Sequence, residues 1–241
     1  MKVSVNILCL DTFKTLKMSL DIIKNELRFT SHEIIVVDNG SRDELYLKKD
    51  DDLGVRIIRN ETNQGISIGK NQGIRASHGE FIFLLDGDVV PVPGSILKLI
   101  EYMEDVPDCE AIGFLPNKFS MEPNGERFSH HEKECHTLFN PRVSPCACLF
   151  YGLYRKTVFD RVMMSEDGEF GKPGYGWEDH DFFNKMKDAG ITQWVCGMNH
   201  EAGKYYHAIN SSIRSMGYQA YKESERKRSF TFNEKWGINA R

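Results

Sequence analysis

Residues 81–91, FIFLLDGDVVP, constrain this chain more than any other stretch. The five consecutive apolar residues from Phe81 to Leu85 leave no polar face, so a strand here is buried on both sides. Such strands belong to parallel sheets with helices packed on each face. The run ends in Asp86-Gly87-Asp88, at the C-terminal strand edge where open α/β sheets bind ligands. Gly87 allows a sharp turn that lets both acids reach one point outside the sheet. Adjacent carboxylates repel unless a cation joins them, and Mg²⁺ and Mn²⁺ prefer oxygen ligands. Asp and Gly are also ordinary turn residues, so the tripeptide alone leaves a plain surface turn open.

The flanking sequence repeats the pattern. Residues 3–9 (VSVNILC) and 33–37 (within HEIIVVDNGS) read as strands, as do 55–60 (VRIIRN) and 109–116 (CEAIGFLP). Leu16, Leu20, Ile23 and Leu27 are spaced for a helix over 14–28, and SILKLIEYMED predicts another over 95–105. NQGISIGKNQGIRAS, 63–77, starts in a turn and continues as a helix, and the charged stretch after Ser41 reads as helical. Alternation of this kind predicts an α/β fold with a mostly parallel sheet and right-handed crossovers. Asp11, Asp38 and the Asp86/Asp88 pair all fall at C-terminal strand ends. Beyond residue 116 the periodicity fades, and 117–148 read as a long excursion, mobile or facing an acceptor. ACLFYGLYRKTVFDRV returns to a strand and a helix start. EDHDFFNKMKDAG, 178–190, is a short helix with Gly190 as its C-cap, TQWVCG is a strand, and 210–236 read as a basic helix. The expected organisation is therefore a nucleotide-binding half, 1–116, an acceptor-binding half, 117–209, and a basic helical C-terminal extension, 210–241.

Bulk properties exclude several classes. A net charge of −4 over 241 residues does not suit a chain that binds nucleic acid through its overall charge. Residues 201–241 nevertheless hold eight Lys/Arg against four Asp/Glu, so an anionic partner for that end stays open. The N-terminal apolar run is too short for a signal peptide, and no run reaches the ~18 residues needed to cross a bilayer. A cytoplasmic location is expected, in a bacterium or in the host cytoplasm if the chain is viral. The six cysteines form no CxxC pair, which favours reduced thiols, and His130, His131, Cys135 and His136 lack paired zinc-site spacing.

Several side chains are candidates for chemistry. Asp38, in Asp38-Asn39-Gly40-Ser41, can accept the N3–H of a uracil or thymine ring or simply close an Asx turn. Gly65, Gly69 and Gly73 recur every fourth residue, giving a helix one smooth side for close approach to a strand. Lys70 on that helix either points a cation at a diphosphate or is a solvated lysine. In GKPGYGWEDHDFF, Trp177 offers a flat apolar face suited to a sugar ring. Glu178, Asp179 and Asp181 follow at a helix N-terminus, where the dipole favours ionised carboxylates. An ionised, oriented carboxylate can act as a general base, although acidic N-caps are common. His200 or His207 could complete a metal shell begun by Asp88, or be structural.

With VVDNGS, NQGISIGKNQGI, LLDGDVVP and GYGWEDHDFF in this order, the chain resembles inverting glycosyltransferases of the GT-A fold, family two, over roughly residues 3–190. The last block is similar to the WGWGGED-type segment of galactosyl- and N-acetylgalactosaminyltransferases. The resemblance implies a Rossmann-like GT-A domain, a nucleotide-sugar donor (a UDP-sugar favoured) and Mn²⁺ or Mg²⁺. It implies that Asp38 contacts the base, Asp86 lies near the ribose and Asp88 ligates the metal on the diphosphate. Lys70 stands where many relatives carry Arg. Asp179 matches the general base, Glu178 binds donor or acceptor hydroxyls, and His207, with His200 second, completes the metal site. The chain departs from the pattern after the first strand, where Leu10-Asp11-Thr12 replaces the usual aromatic-Asn pair.

The expected acceptor is a hydroxyl, most simply on a glycan. The basic C-terminal end also admits an anionic lipid headgroup or a modified base in DNA. Two rival readings are a nucleotidyltransferase, which would release pyrophosphate, and a non-catalytic module that only binds nucleotide sugars.

Overall fold

The computed structural model describes residues 1–42, 54–114, 118–121, 127–130, 142–144, 149–174, 176–196, 205–207 and 218–237. The expected helix after Ser41 and most of the 117–148 excursion lie outside them.

The centre of the main sheet is β1 (Val3–Cys9), paired in parallel with β2 (His32–Asp38) on one side and β4 (Phe81–Asp86) on the other. β3 (Arg56–Arg59) continues the parallel array beyond β2. All five apolar residues of β4 are buried, as the unbroken run requires. Phe81, Phe83 and Leu85 join one hydrophobic cluster, and Ile82 and Leu84 join a second. The first cluster is closed by α1 (Phe13–Leu27), through Leu16, Leu20, Ile23 and Leu27, and by α3 (Ser95–Asp105), through Ile96, Leu99, Ile100 and Met103. The second takes Ile74 from α2 (Ile66–Ala76), Val158 and Phe159 from α4 (Lys156–Arg161), and Phe182, Phe183 and Met186 from α5 (Glu178–Asp188). Helices thus cover both faces, as two-sided burial demands.

The far half of the sheet is less regular than its parallel start. β10 (Tyr151–Arg155) enters antiparallel between β4 and β6 (Ala111–Phe114). β11 (Gln193–Cys196) then runs parallel to β6, and β9 (Arg142–Val143) forms an antiparallel edge. The order is β3-β2-β1-β4-β10-β6-β11-β9, with six of eight strands pointing one way. The fifth strand foreseen at 109–116 is therefore β6, but β10 separates it from β4.

A second, antiparallel sheet has the order β5-β12-β8-β7, from β5 (Val89–Val90), β12 (Tyr205–His207), β8 (Arg127–His130) and β7 (Lys118–Met121). Part of the segment read as an irregular excursion is thus strand. Strands of two to four residues are too short to carry a legible period-2 signal, and their order comes from pairing with distant partners. The final helix, α6 (Tyr218–Trp236), lies where the basic C-terminal helix was expected. Among the described residues no helix is long and apolar enough to cross a membrane, and Cys9, Cys109 and Cys196 are buried free thiols.

Candidate active site

The donor-side candidates gather where β1, β2, β3 and β4 end. Asp38 closes β2 opposite Cys9 of β1 and Arg59 of β3. Its carboxylate is fully buried. Oδ1 accepts from the Ser41 amide at 3.0 Å and the Ser41 hydroxyl at 2.6 Å. Oδ2 accepts from Arg59, whose guanidinium also donates to the Ser41 carbonyl at 2.7 Å. Asp38 therefore closes an Asx-type turn and holds Arg59, a residue the sequence reading did not single out. Its neighbour Asn39 bonds Asn63, Asn60 and the Gln64 amide, tying the β2 end to the loop before α2. Asp11 sits in the left-handed region (φ 55°) and accepts from the Arg42 amide and guanidinium at 2.8 and 2.9 Å.

The smooth side of α2 faces β1 as its spacing predicts. A Cβ at Gly69 would stand 2.5 Å from Leu8 Cδ1, and one at Gly73 would stand 2.9 Å from Asn6 Oδ1. Gly65 instead faces the Lys172 carbonyl, so its partner is the loop leading to α5. Lys70 is buried, pairs with Asp86 and lies 3.5 Å from the Leu149 carbonyl, so it is not a solvated lysine. A lysine taken out of water needs such a partner, and Asp86 is thereby held against the β4 end.

At Gly87 the requirement is space rather than a left-handed backbone. Its amide donates to the Leu8 carbonyl at 2.7 Å, and a Cβ would meet that carbonyl at 2.9 Å and Thr12 Oγ1 at 2.5 Å. Asp88 follows, half-buried, and the chain then passes into β5 of the second sheet. There His207 of β12 is the register partner of Val89, one residue from Asp88. Among the described residues no three His, Cys, Asp or Glu are grouped as a metal cluster. The register places His207 one residue from Asp88, and a carboxylate beside an imidazole-bearing residue suits Mn²⁺, while the carboxylate oxygens alone suit Mg²⁺. His200 lies outside the described residues.

The second group is built around the start of α5. Trp177 takes a left-handed conformation (φ 72°) directly after Gly176 (φ 104°), and its carbonyl accepts the Asp181 amide at 2.9 Å. A non-glycine residue held there costs ~1–3 kcal/mol, so the surroundings must enforce it. They do so through α6. Phe232 packs tilted against the Trp177 ring at 5.0 Å, and Lys235 and Trp236 reach Asp181 at 2.7 and 3.0 Å. Arg228, 2% exposed, forms a 2.8 Å ion pair with Glu178 and donates to the Lys172 carbonyl at 2.7 Å. Burial outweighs the attraction of Arg228 and pushes the Glu178 carboxyl up to about 7.

Asp179 is the exposed acid of the group. Its Oδ1 accepts from the His180 amide and from His180 Nδ1, both at 2.8 Å, and this contact raises the His180 pKa. The imidazole packs 5.1 Å from Trp177, with Phe232 against its edge. The residues missed from sequence are thus Arg59, His180, Arg228 and Phe232. Arg228 was hidden inside KESERKR, where nothing separates it from Arg226 and Lys227, which stay exposed.

Residues 4–163 match the family model described as Glycosyl transferase family 2. The chain belongs to that family. It carries a GT-A glycosyltransferase domain, with the strand-end acids Asp38, Asp86 and Asp88 inside the matched region and α5 and α6 beyond it. It is 32% identical over 96 residues to an uncharacterized glycosyltransferase of Haemophilus influenzae, a match covering 40% of this chain and 32% of that protein. The chain thus spans about a third of that relative's length. A structure of S. aureus TarS 1-349 in complex with UDP-GlcNAc superposes with a TM-score of 0.57 at 16% identity, covering 86% of this chain and 58% of that one. The mannosyltransferase PcManGT from Pyrobaculum calidifontis, in complex with GDP-Man and Mn²⁺, gives 0.61 at 15% identity, covering 100% of this chain and 65% of that one. At these identities the two structures establish a shared fold.

Proposed function

We propose that this chain transfers a sugar from a nucleoside-diphosphate sugar to a hydroxyl of an acceptor, with inversion at the anomeric carbon. The observation that carries the reading is the register pairing His207 with Val89, which brings an imidazole-bearing residue beside Asp88 at the strand edge where ligands bind. Asp88 and His207 would hold Mn²⁺ or Mg²⁺, and Asp86, fixed by Lys70, would serve the ribose side of the donor. A divalent ion there supplies positive charge for the departing diphosphate. The base of the donor lies by the β2 end, around Asp38. UDP-GlcNAc in the TarS complex and GDP-Man with Mn²⁺ in the PcManGT complex support the donor class, and a UDP-sugar is favoured.

Asp179 is the general base. Its Oδ1 is engaged by His180, which fixes the plane of the carboxylate. Its second oxygen takes the proton of the acceptor hydroxyl as that oxygen bonds to the anomeric carbon and the bond to the diphosphate breaks. Trp177, with Phe232 and His180 packed on its ring, would meet a sugar through the part of the indole they leave open. The acceptor is most simply a glycan, and DNA with modified bases is the alternative that the basic C-terminal end leaves. Salt-sensitive DNA binding would favour the alternative.

The test is a screen of UDP- and GDP-sugars for donor hydrolysis and transfer, with and without Mn²⁺ or Mg²⁺. Release of nucleoside diphosphate on wild type is expected. Release of pyrophosphate from a nucleoside triphosphate would instead identify a nucleotidyltransferase, and no turnover of bound donor a binding module. Asp179→Asn should lose ~10²–10⁴-fold in kcat, the range of a positioned general base, with donor Kd unchanged. Wild-type turnover in that variant would sink the base assignment.

A further inference from the structure

Glu178 has a substrate-facing role in the reading carried by the resemblance, but its surroundings give it another. Its side chain is 7% exposed and ion-paired at 2.8 Å to Arg228, itself 2% exposed. A second guanidinium nitrogen donates to the Lys172 carbonyl at 2.7 Å, so Arg228 ties both ends of the Gly-rich approach. The packing leaves no slack. A Cβ at Gly174 would stand 2.8 Å from Arg228 Nη2 and from Ser224 Oγ. On the same helix, one turn further on, Phe232 covers Trp177 and touches the edge of His180, the residue that orients Asp179. Two turns on, Lys235 and Trp236 hold Asp181. Glu178 is therefore oriented inward, toward α6, while its neighbour Asp179 is the acid that reaches solvent.

We propose that Arg228 of α6 is a positioning residue for catalysis, and that Glu178 acts through it, fixing the start of α5 so that Asp179 presents its carboxylate, rather than binding a substrate hydroxyl. The inference rests on the assignment of Asp179 as the base. An ion pair between two buried groups also explains why neither can be replaced alone without leaving the other charge unpaired.

A double-mutant cycle separates the two roles. Arg228→Gln, Arg228→Met and Glu178→Gln each leave a buried partner unmatched, and each should lower kcat by about thirtyfold or more while donor Kd stays within about twofold. The pair Glu178→Gln with Arg228→Gln keeps a neutral hydrogen bond and should recover about tenfold of that loss, with acceptor KM near wild type. Arg228→Lys, which keeps the charge but not the fork, should fall between wild type and Arg228→Met. If Glu178 binds the acceptor, the double variant will be no better than Glu178→Gln and its acceptor KM will rise, and the proposal fails.

Amide hydrogen exchange of residues 176–181 gives a readout independent of transfer. Protection there should drop in the single variants and return in the double variant, with the β1–β4 amides unchanged. Unchanged protection at 176–181 in a folded Arg228→Met protein overturns the proposal even if no sugar donor is found. Absence of transferase activity in wild type, with the exchange pattern as expected, would sink the functional reading alone.

Discussion

Asp38, Asp86 and Asp88 stand where they do because paired strands end side by side. Trp177, Glu178 and Asp179 stand where they do because a helix fifty residues downstream packs on them. In the first region the backbone does the positioning. β1, β2 and β4 share a continuous parallel register, and the glycine seam of α2 lets that helix lie against β1. In the second region side chains do it: Arg228, Phe232, Lys235 and Trp236 hold the start of α5 and the loop before it, which contains two successive left-handed positions. A backbone-built edge tolerates changes in its side chains while the sheet persists. A loop held by side chains loses its shape when one of them is removed.

The sharpest way to test this contrast is to remove function from the first region without touching its structure. Asp88→Asn should lower kcat by about 10³-fold and abolish the Mn²⁺ dependence of UDP binding, while thermal melting shifts little. A large fall in melting temperature would mean that the strand end needs its acid for stability, and the contrast would break. The opposite outcome is expected in the second region. Phe232→Ala should cost about 3 kcal/mol of stability, as for other buried aromatic truncations, and lower turnover more than donor affinity. Denaturant melts and UDP titration would read both effects. If donor affinity fell in step with turnover, the two regions would not be separable.

A smaller effect tests the seam. Gly69→Val forces a branched side chain against Leu8, and overpacking of this kind costs about 1–3 kcal/mol. A melt in urea with an unchanged m-value would report it as a loss of stability alone.

The smallest effect belongs to His180. Its pKa is raised by Asp179, so the pair stabilises the fold fully below the unfolded-state value near 6.5, and the contribution is lost as pH rises through the folded-state value. The ring is 60% exposed, which limits the pair to less than about 1 kcal/mol. Melting of wild type minus His180→Gln should therefore narrow from pH 6 to pH 8. A difference that widened over that range would show the imidazole to be stabilising as the neutral form.

The two regions also differed in how far the sequence revealed them. β1, β2 and β4 are continuous apolar runs ending in acids, and Gly65, Gly69 and Gly73 mark a smooth helix side, so the parallel half of the fold and its strand-end acids could be read directly. The antiparallel insertion of β10 could not, because a buried strand looks the same whichever way it runs. Gly65 was counted with that smooth side, but it precedes α2 with φ 88°, and its neighbour is the Lys172 carbonyl rather than β1. Trp177, Glu178 and Asp179 were legible as a cluster of types, yet which acid faces in depends on Arg228. One buried arginine among three basic residues leaves no mark on composition or period. His200 and His207 stood out as alternatives, and only the resemblance preferred His207; what the structure adds is its strand register.

Gly87 and Asp88 are also the stretch of chain on which two sheets meet. β4 belongs to the eight-stranded sheet and β5 to the four-stranded one, with only these two residues between them. The other members of the smaller sheet come from residues 118–121, 127–130 and 205–207. Val89 is both the chain neighbour of Asp88 and the strand partner of His207, so the smaller sheet fixes where the chain goes once it leaves the acids.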